Sequence, residues 1–177
     1  MGKRSDFERI DKDFYRTIDP KAGDALRPFL DLSKEYVEPF AGAGDLVSQF
    51  PELAWKIIID IAPKSNHIAK QDAFYYTWYE PNEIILTNPP WTRAIFHHAI
   101  EHFTPKVQYC WWLMDANWQF TKQAIPYIKE YVTDIVTIGR LRWIPDTTMS
   151  GKDDCVWIRT STDKSEKFVR FYGRGLS

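Results

Sequence analysis

The sequence predicts an α/β protein built on a doubly wound, mainly parallel sheet. Strand-like and helix-like segments alternate along the chain, which is typical of such sheets. Several apolar runs do not alternate with polar residues, and small or polar residues follow them. With 177 residues, 44% of them hydrophobic and 27% charged, the chain has the size and composition of one globular domain. We therefore expect a single domain over residues 1–177.

The helices are predicted from apolar periodicity and from their starting residues. In the first one, Ala22, Leu26 and Leu30 recur at helical spacing behind Asp19, a favourable N-cap, and Pro20 suits the first turn. The same reasoning gives four helices over residues 20–32, 45–50, 92–103 and 117–131.

The strands are predicted from short apolar runs that end in turn residues. They cover residues 36–40, 56–60, 83–87, 107–114 and 134–138. The runs at 56–60 and 83–87 do not alternate, so we expect both strands to be buried on both faces. Near the end of the chain, Cys155–Arg159 and Phe168–Tyr172 are expected to pair as a closing antiparallel hairpin.

Composition excludes several classes of protein. The net charge of −1 excludes a general polycation, although residues 140–177 carry eight Lys and Arg against five Asp and Glu. No apolar run is long enough to span a bilayer, and Met1–Arg4 is not followed by the apolar stretch of a secretory signal. Cys110 and Cys155 support neither a disulfide framework nor a zinc site. We expect a cytoplasmic protein that does not bind membranes.

Small and acidic residues follow the first strands. Gly42 and Gly44 allow a sharp turn and a close approach to a ligand, but an ordinary strand-to-helix turn has the same pattern. Asp60 could accept both hydroxyls of a ribose or could cap its strand. Asp72 could accept from an adenine amino group, with Phe74 packed near the ring. In a doubly wound sheet these positions meet at the ligand-binding edge.

The segment Asn88-Pro89-Pro90-Trp91 is the most specific motif in the chain. Two prolines directly after an apolar strand hold the backbone rigid and keep its carbonyls out of a helix. The Asn88 side-chain oxygen and the Pro89 carbonyl could accept both hydrogens of an exocyclic amine, which would turn the nitrogen lone pair toward an incoming methyl group. Trp91 offers a face on which a base could stack. The alternative is a rigid loop that caps the next helix.

The chain resembles the class I S-adenosylmethionine-dependent amino-methyltransferases that act on adenine N6 or cytosine N4 of DNA. Their motifs I to IV are similar to YVEPFAGAGDL, IIIDIAP, QDAF and ILTNPPW, and DFYRTIDPKAGDALRPFL resembles the motif that precedes motif I in the γ-type order. The segments VQYCWWLMDANWQF and IVTIGRLRWIP are similar to the later strands and aromatic loop of small phage-type adenine-N6 enzymes. The resemblance covers residues 13–160 and implies a Rossmann-like methyltransferase sheet.

The resemblance also implies roles for individual residues. The implied cofactor is S-adenosyl-L-methionine, the implied substrate is DNA, and no metal is implied. Implied cofactor-binding residues are Tyr15, Thr17, Glu38, Pro39, Ala41, Gly42, Gly44, Asp60, Ile61, Asp72, Ala73, Phe74 and Asn88. Implied catalytic residues are Asn88, Pro89, Pro90 and Trp91, and implied substrate-binding residues are Trp91 and Trp143. The implied reaction is a direct in-line transfer, for which a duplex base would be flipped out of the helix.

One departure from the resemblance keeps alternatives open. We expect no separate target-recognition domain within residues 1–177, so sequence readout would come from loops at 91–96 and 143–154, from a homodimer or from a partner subunit. The substrate could then be RNA or another planar amine, or the chain could be a non-catalytic, cofactor-binding partner subunit. A zinc-peptidase-like spacing, His98–His102 with Glu101, is interpreted as a polar helical face because no third ligand is apparent.

Overall fold

The computed structural model describes residues 15–77, 79–165 and 168–175. Asp13 and Phe14, which open the stretch that resembles the γ-type motif, lie outside these residues. The strands are β1 Glu35–Glu38, β2 Ala54–Asp60, β3 Ala69–Lys70, β4 Ile84–Thr87, β5 Tyr109–Asp115, β6 Val132–Arg140, β7 Asp154–Thr160 and β8 Arg170–Tyr172. The helices are α1 Pro20–Leu26, α2 Asp45–Gln49, α3 Arg93–Phe103 and α4 Ile125–Glu130.

The eight strands form one sheet in the order β3-β2-β1-β4-β5-β7-β6-β8. The first five in this order are parallel neighbours. From β1 the chain first builds outward to β2 and β3, and then crosses to β4 on the other side of β1. Such a reversal opens a crevice at the carboxyl ends of β1 and β4. The predicted doubly wound, mainly parallel α/β fold is confirmed.

The antiparallel part of the sheet is built around β7, which pairs with β5 on one side and β6 on the other. The expected pairing of Cys155–Arg159 with Phe168–Tyr172 is wrong, because the hairpin partner of β7 is β6 and β8 lies parallel to β6. The physical reason is burial: β7 is apolar on both faces and needs a strand on each side, whereas β8 is largely exposed at the edge.

Both faces of the sheet carry a packed core. The core on one face centres on Phe96, Phe103 and Trp112, and the core on the other centres on Tyr36, Trp111 and Trp157. The adjacent residues Trp111 and Trp112 point to opposite faces, as successive strand residues do. No helix in the described ranges is long and apolar enough to cross a membrane.

Three predicted elements differ in detail from the structure. The helix predicted at 117–131 is two short 3₁₀ segments followed by α4, in which Pro126 takes a first-turn position. The first helix ends at Leu26 and continues as a 3₁₀ turn containing Pro28. Strand β2 is only partly buried, because its outer neighbour β3 has two residues and covers only its end. β4 is fully buried, as expected.

Candidate active site

A cleft opens at the carboxyl ends of β1 and β4, where the strand order reverses. Segments that are far apart in sequence line it: residues 15–17, the loops after β1 and β2, and the loop after β4. The lining residues are Tyr15, Arg16, Thr17, Glu38, Phe40, Ala41, Gly42, Ala43, Asp45, Leu46, Asp60, Ile61, Ala62, Lys64, Asn88, Pro89, Pro90 and Trp91. The cleft therefore combines most of the predicted cofactor-binding residues with the predicted catalytic segment.

Glu38 is the buried acid of the cleft. Its carboxylate accepts hydrogen bonds from the Thr87 hydroxyl and, at 3.0 Å, from the backbone N–H of Phe40. Only 1% of the residue is exposed, and no salt bridge to Glu38 is found in the described part of the chain. Burial raises the pKa of Glu38 to about 8, although both hydrogen bonds act in the opposite direction. A buried carboxyl group without a cation is well suited to receive an ammonium group.

The loop after β1 is held to the end of β2 by Asp60. One carboxylate oxygen of Asp60 accepts from the Gly42 N–H at 2.8 Å, and the other accepts from the Ala62 N–H at 2.7 Å. Gly42 and Gly44 have φ values of 55° and 86°, in the left-handed region that glycine tolerates without strain. Each carboxylate oxygen keeps acceptor capacity, so Asp60 can still bind a pair of hydroxyl groups.

Asn88 is held by hydrogen bonds on both sides of its carboxamide. Its nitrogen donates to the Thr17 hydroxyl at 3.0 Å and to the Tyr15 carbonyl at 3.3 Å. Its oxygen accepts from the Trp91 indole N–H at 3.1 Å, and the same N–H also reaches the Leu113 carbonyl at 3.1 Å. The predicted catalytic loop is thus joined to the N-terminal segment and to strand β5.

Three aromatic rings meet beside this loop. Trp143 packs edge-on against Trp91 with ring centroids 5.4 Å apart, and against Tyr15 with centroids 6.2 Å apart. The loop between β6 and β7 that carries Trp143 is closed by a hydrogen bond from the Gly151 N–H to the Leu141 carbonyl. Trp143 lies 52 positions beyond Trp91 in sequence, yet the fold makes the two predicted substrate-binding residues direct neighbours.

The remaining predicted residues do not line the cleft. Pro39, Gly44 and Ala73 are not among its lining residues. Asp72 accepts from the Phe74 N–H at 2.9 Å in a local turn. The Phe74 ring stacks on Phe103 with centroids 5.5 Å apart, within the core on that face. An adenine-binding role for the 72–74 turn stays a prediction.

Sequence reasoning did not single out the ion pair between Arg16 and Asp45. Two guanidinium nitrogens of Arg16 contact the two Asp45 oxygens at 2.8 and 2.7 Å, a bidentate geometry at the mouth of the cleft. The pair ties the N-terminal segment to the start of α2. The partners are 29 positions apart, and no local pattern marks them as neighbours.

Two groups of possible metal ligands have other partners. Of the zinc-peptidase-like set, Glu101 accepts from the Tyr127 hydroxyl at 2.8 Å and His102 contacts Lys106 Nζ at 2.8 Å. Glu35, Glu80 and Glu83 form a carboxylate cluster, but Lys56 Nζ lies 2.7 to 3.3 Å from an oxygen of each. We interpret that cluster as an ion-pair network.

Several solved structures of methyltransferases have a similar fold. One of them is a putative class I S-adenosylmethionine-dependent methyltransferase from Listeria monocytogenes, with a TM-score of 0.62 and 12% identity over 89% of this chain and 65% of that one. No family model matches the chain, and no curated protein matches it.

Two further solved structures have the same fold. A putative RNA methyltransferase from Pyrococcus horikoshii matches with a TM-score of 0.61 and 15% identity over 90% of this chain and 92% of that one. A modification subunit of a putative type I restriction enzyme from Vibrio vulnificus matches with a TM-score of 0.59 and 12% identity over 92% of this chain and 47% of that one. The chain spans less than two thirds of the Listeria and Vibrio proteins.

Proposed function

We propose that this protein transfers a methyl group from S-adenosylmethionine to the exocyclic amine of a nucleic-acid base, with adenine N6 in DNA as the favoured target. The observation that carries the proposal is the position of Asn88. Its carboxamide lies in the cleft at the carboxyl end of β4, beside Pro89, and the same cleft is lined by Glu38 at the end of β1 and Asp60 at the end of β2. An amide acceptor and a rigid Pro-Pro backbone that line the same cleft suit an amine substrate.

The residues of the cleft fit S-adenosylmethionine. Glu38 offers a buried carboxyl group to the ammonium of the methionine part, and Asp60 offers its two oxygens to the ribose hydroxyls. When bound, the cofactor supplies a methyl group activated by a sulfonium. Ile61 is 62% exposed at the same edge and provides an apolar surface for the adenine.

The proposed role of the catalytic segment is to orient the acceptor nitrogen. The Asn88 oxygen and the Pro89 carbonyl accept the two amine hydrogens, which directs the nitrogen lone pair at the methyl carbon. In the transfer, the N–C bond would form as the S–C bond of the donor breaks, which would leave a neutral thioether, and the alkylated amine would release one proton to solvent. Trp91 and Trp143 hold the base, so orientation and fixed dipoles supply the rate enhancement.

A basic groove beside the cleft supports a nucleic-acid substrate. Arg140 ends β6, Arg174 follows β8, and Lys21 lies in the first turn of α1. All three line one groove together with Asp24 and Asp154. Since β6 and β8 run parallel to each other and β6 runs parallel to β5, the two arginines lie at the same edge of the sheet as Asn88. Cations at this edge are positioned to contact the phosphates that flank a target base.

The experiment that tests the proposal measures transfer of a labelled methyl group from S-adenosylmethionine to duplex DNA, single-stranded DNA and total RNA. The wild type is compared with Asn88→Ala and with Asn82→Ala, an exposed asparagine just before β4 at the opposite edge of the sheet. We expect Asn88→Ala to lower transfer by at least about 100-fold, the usual cost of losing one oriented polar group in an active site. Asn82→Ala should retain wild-type transfer.

Each outcome has a defined meaning. Label in duplex DNA, released as N6-methyladenine, supports the favoured target, whereas N4-methylcytosine or labelled RNA corrects it. Equal transfer by Asn88→Ala and the wild type would overturn the role of Asn88. If no polymer is labelled although the cofactor binds, the chain is a non-catalytic subunit or has a different substrate, and titration of a second chain separates these two cases.

A further inference from the structure

We infer that Thr17 and Trp91 are positioning residues that hold the Asn88 carboxamide in one of its two orientations, with its oxygen on the side of the acceptor base. The inference rests on the proposed function, since it assigns a purpose to that orientation. It adds a second role for Trp91, whose ring was expected only to stack on the base, and a role for Thr17 outside cofactor binding.

The donors and acceptors around Asn88 define the orientation without ambiguity. The Trp91 indole N–H can only donate, and the Tyr15 backbone carbonyl can only accept. A 180° flip of the carboxamide would bring its NH₂ against the Trp91 N–H and its oxygen against the Tyr15 carbonyl. Both contacts would then be repulsive. The observed arrangement, with hydrogen bonds of 3.1 Å from Trp91 and 3.3 Å to Tyr15, is therefore the one that satisfies the Trp91 N–H, the Tyr15 carbonyl and the Asn88 carboxamide.

Both positioning residues are themselves anchored to other parts of the fold. Trp91 is fixed from the side of β5, because its N–H also reaches the Leu113 carbonyl at 3.1 Å. Thr17 is 5% exposed, and its carbonyl accepts from the Gln49 side chain at the end of α2. The oxygen of the same Gln49 accepts from the Gly23 N–H at 2.9 Å. The orientation of Asn88 is therefore set by a frame that involves α1, α2 and β5.

This frame has a chemical consequence for the acceptor oxygen. A carboxamide that donates through its nitrogen becomes more polar, and its oxygen becomes a stronger acceptor. The Thr17 hydroxyl, 3.0 Å from the Asn88 nitrogen, is placed to produce this effect. The Asn88 oxygen has two lone pairs, so it can accept from Trp91 and from one hydrogen of the substrate amine simultaneously.

The test uses variants that remove one hydrogen-bonding group, and only the variants at Thr17 also keep the shape of the side chain. Thr17→Val removes the hydroxyl, and Thr17→Ser is its matched control. Trp91→Phe removes the indole N–H and keeps an aromatic ring for the base. We expect each of Thr17→Val and Trp91→Phe to lower kcat about fivefold, as the loss of one net hydrogen bond predicts, with the KM for nucleic acid within about twofold of the wild type. Thr17→Ser should retain most of the activity.

A background variant shows whether the effect passes through Asn88. In Asn88→Ala, adding Thr17→Val should cause no further loss, because the carboxamide to be oriented is absent. A full additional fivefold loss would mean that Thr17 acts elsewhere, and would overturn the inference. An increased KM with unchanged kcat in Trp91→Phe would also overturn it, since that pattern indicates a stacking role alone.

A spectroscopic measurement separates this inference from the proposed function. The side-chain NH₂ of Asn88, assigned by its loss in Asn88→Ala, should give two well-resolved and slowly exchanging proton signals in a ¹⁵N-labelled sample. In the double variant Thr17→Val, Trp91→Phe, these signals should move upfield and exchange faster. If the wild type methylates nothing, the proposed function fails while this result still decides the orientation. Unchanged signals in the double variant would overturn the inference that Thr17 and Trp91 orient Asn88.

Discussion

Two polar loops at the same edge of the sheet differ in how their side chains are bound. The Asn88 side chain, after β4, donates to residues 71 and 73 positions earlier, whereas among the described residues the Asp72 carboxylate, after β3, accepts only from the backbone N–H two positions later. The first arrangement exists only in the folded protein, because it joins segments that the sheet brings together. The second is a local turn that such a residue forms in many contexts.

The difference between these loops teaches how to distinguish a candidate site from a turn. A side chain whose donors and acceptors are matched by distant segments is held in one geometry, which chemistry requires. Glu38 and Asp60 belong to the first kind, since Glu38 is held by Thr87 and Asp60 bonds back to Gly42. The comparison therefore divides the predicted residues into a cleft group and the separate 72–74 turn.

The largest expected effect concerns Glu38 and pH. Because the pKa of Glu38 is raised to about 8, the carboxyl group must lose a proton before it can pair with the ammonium of the cofactor. We expect the affinity for S-adenosylmethionine to fall below pH 8 with a slope that approaches tenfold per pH unit, which amounts to about 50-fold between pH 8 and pH 6. Glu38→Gln should bind S-adenosylmethionine weakly at every pH. Calorimetry in two buffers should detect a proton released when the wild type binds the cofactor, and none when Glu38→Gln binds it.

The same raised pKa affects stability in the absence of any ligand. Between the unfolded pKa of 4.5 and the folded value of about 8, the folded state keeps a proton that the unfolded state has lost. The contribution of the neutral, buried Glu38 to the free energy of unfolding is fully present below pH 4.5. It is lost as the pH rises toward 8, by at most about 1.4 kcal/mol per pH unit. Urea unfolding should show that wild type becomes less stable relative to Glu38→Gln over this range. A constant difference would contradict the buried, protonated Glu38.

An intermediate effect is expected for Asp60→Asn. An asparagine at this position places an NH₂ group against either the Gly42 or the Ala62 N–H, and it removes the charge that favours the ribose hydroxyls. We expect about a tenfold loss of cofactor affinity. Fluorescence titration measures it directly, and unchanged affinity would remove Asp60 from the cleft group.

A smaller effect is expected from the basic groove. Replacing Arg140 and Arg174 by Ala should weaken DNA binding about fivefold near 0.1 M salt and reduce the salt slope by about two. The matched control replaces Lys106 and Lys129, two exposed cations outside the groove. An equal loss in both double variants would show that the groove makes no specific contribution.

The smallest effect is expected for Asp72→Asn, which keeps the oxygen that accepts from the Phe74 N–H. Cofactor affinity should change by less than about twofold if the turn is local, compared with about tenfold for Asp60→Asn. The paired measurement is the strictest test of the comparison. A loss at Asp72 as large as that at Asp60 would return the 72–74 turn to the cofactor site and would support the adenine-binding role that the resemblance implies.

Much of the fold and part of the candidate site were predictable from local sequence. The apolar runs at 83–87 and 107–114 gave the central strands β4 and β5, because burial on both faces leaves a clear composition. The Asn-Pro-Pro-Trp segment predicted the rigid loop after β4 that we propose to be catalytic, since its rigidity follows from its own residues. The prediction of one helix over 117–131 was wrong because it followed the apolar periodicity and gave too little weight to Pro126. This proline suits only a first turn, so the α-helix α4 covers just the last part of the predicted range.

The sequence by itself determined the alternation of strands and helices, the glycine turn after β1 and the presence of an amide beside two prolines. Only the tertiary structure decided that β7 pairs with β5 and β6, that Arg16 pairs with Asp45, and which way the Asn88 carboxamide faces. The physical reason is range. Backbone preferences act over a few residues, whereas strand partners and side-chain hydrogen bonds depend on segments that meet only when both faces of the sheet are buried.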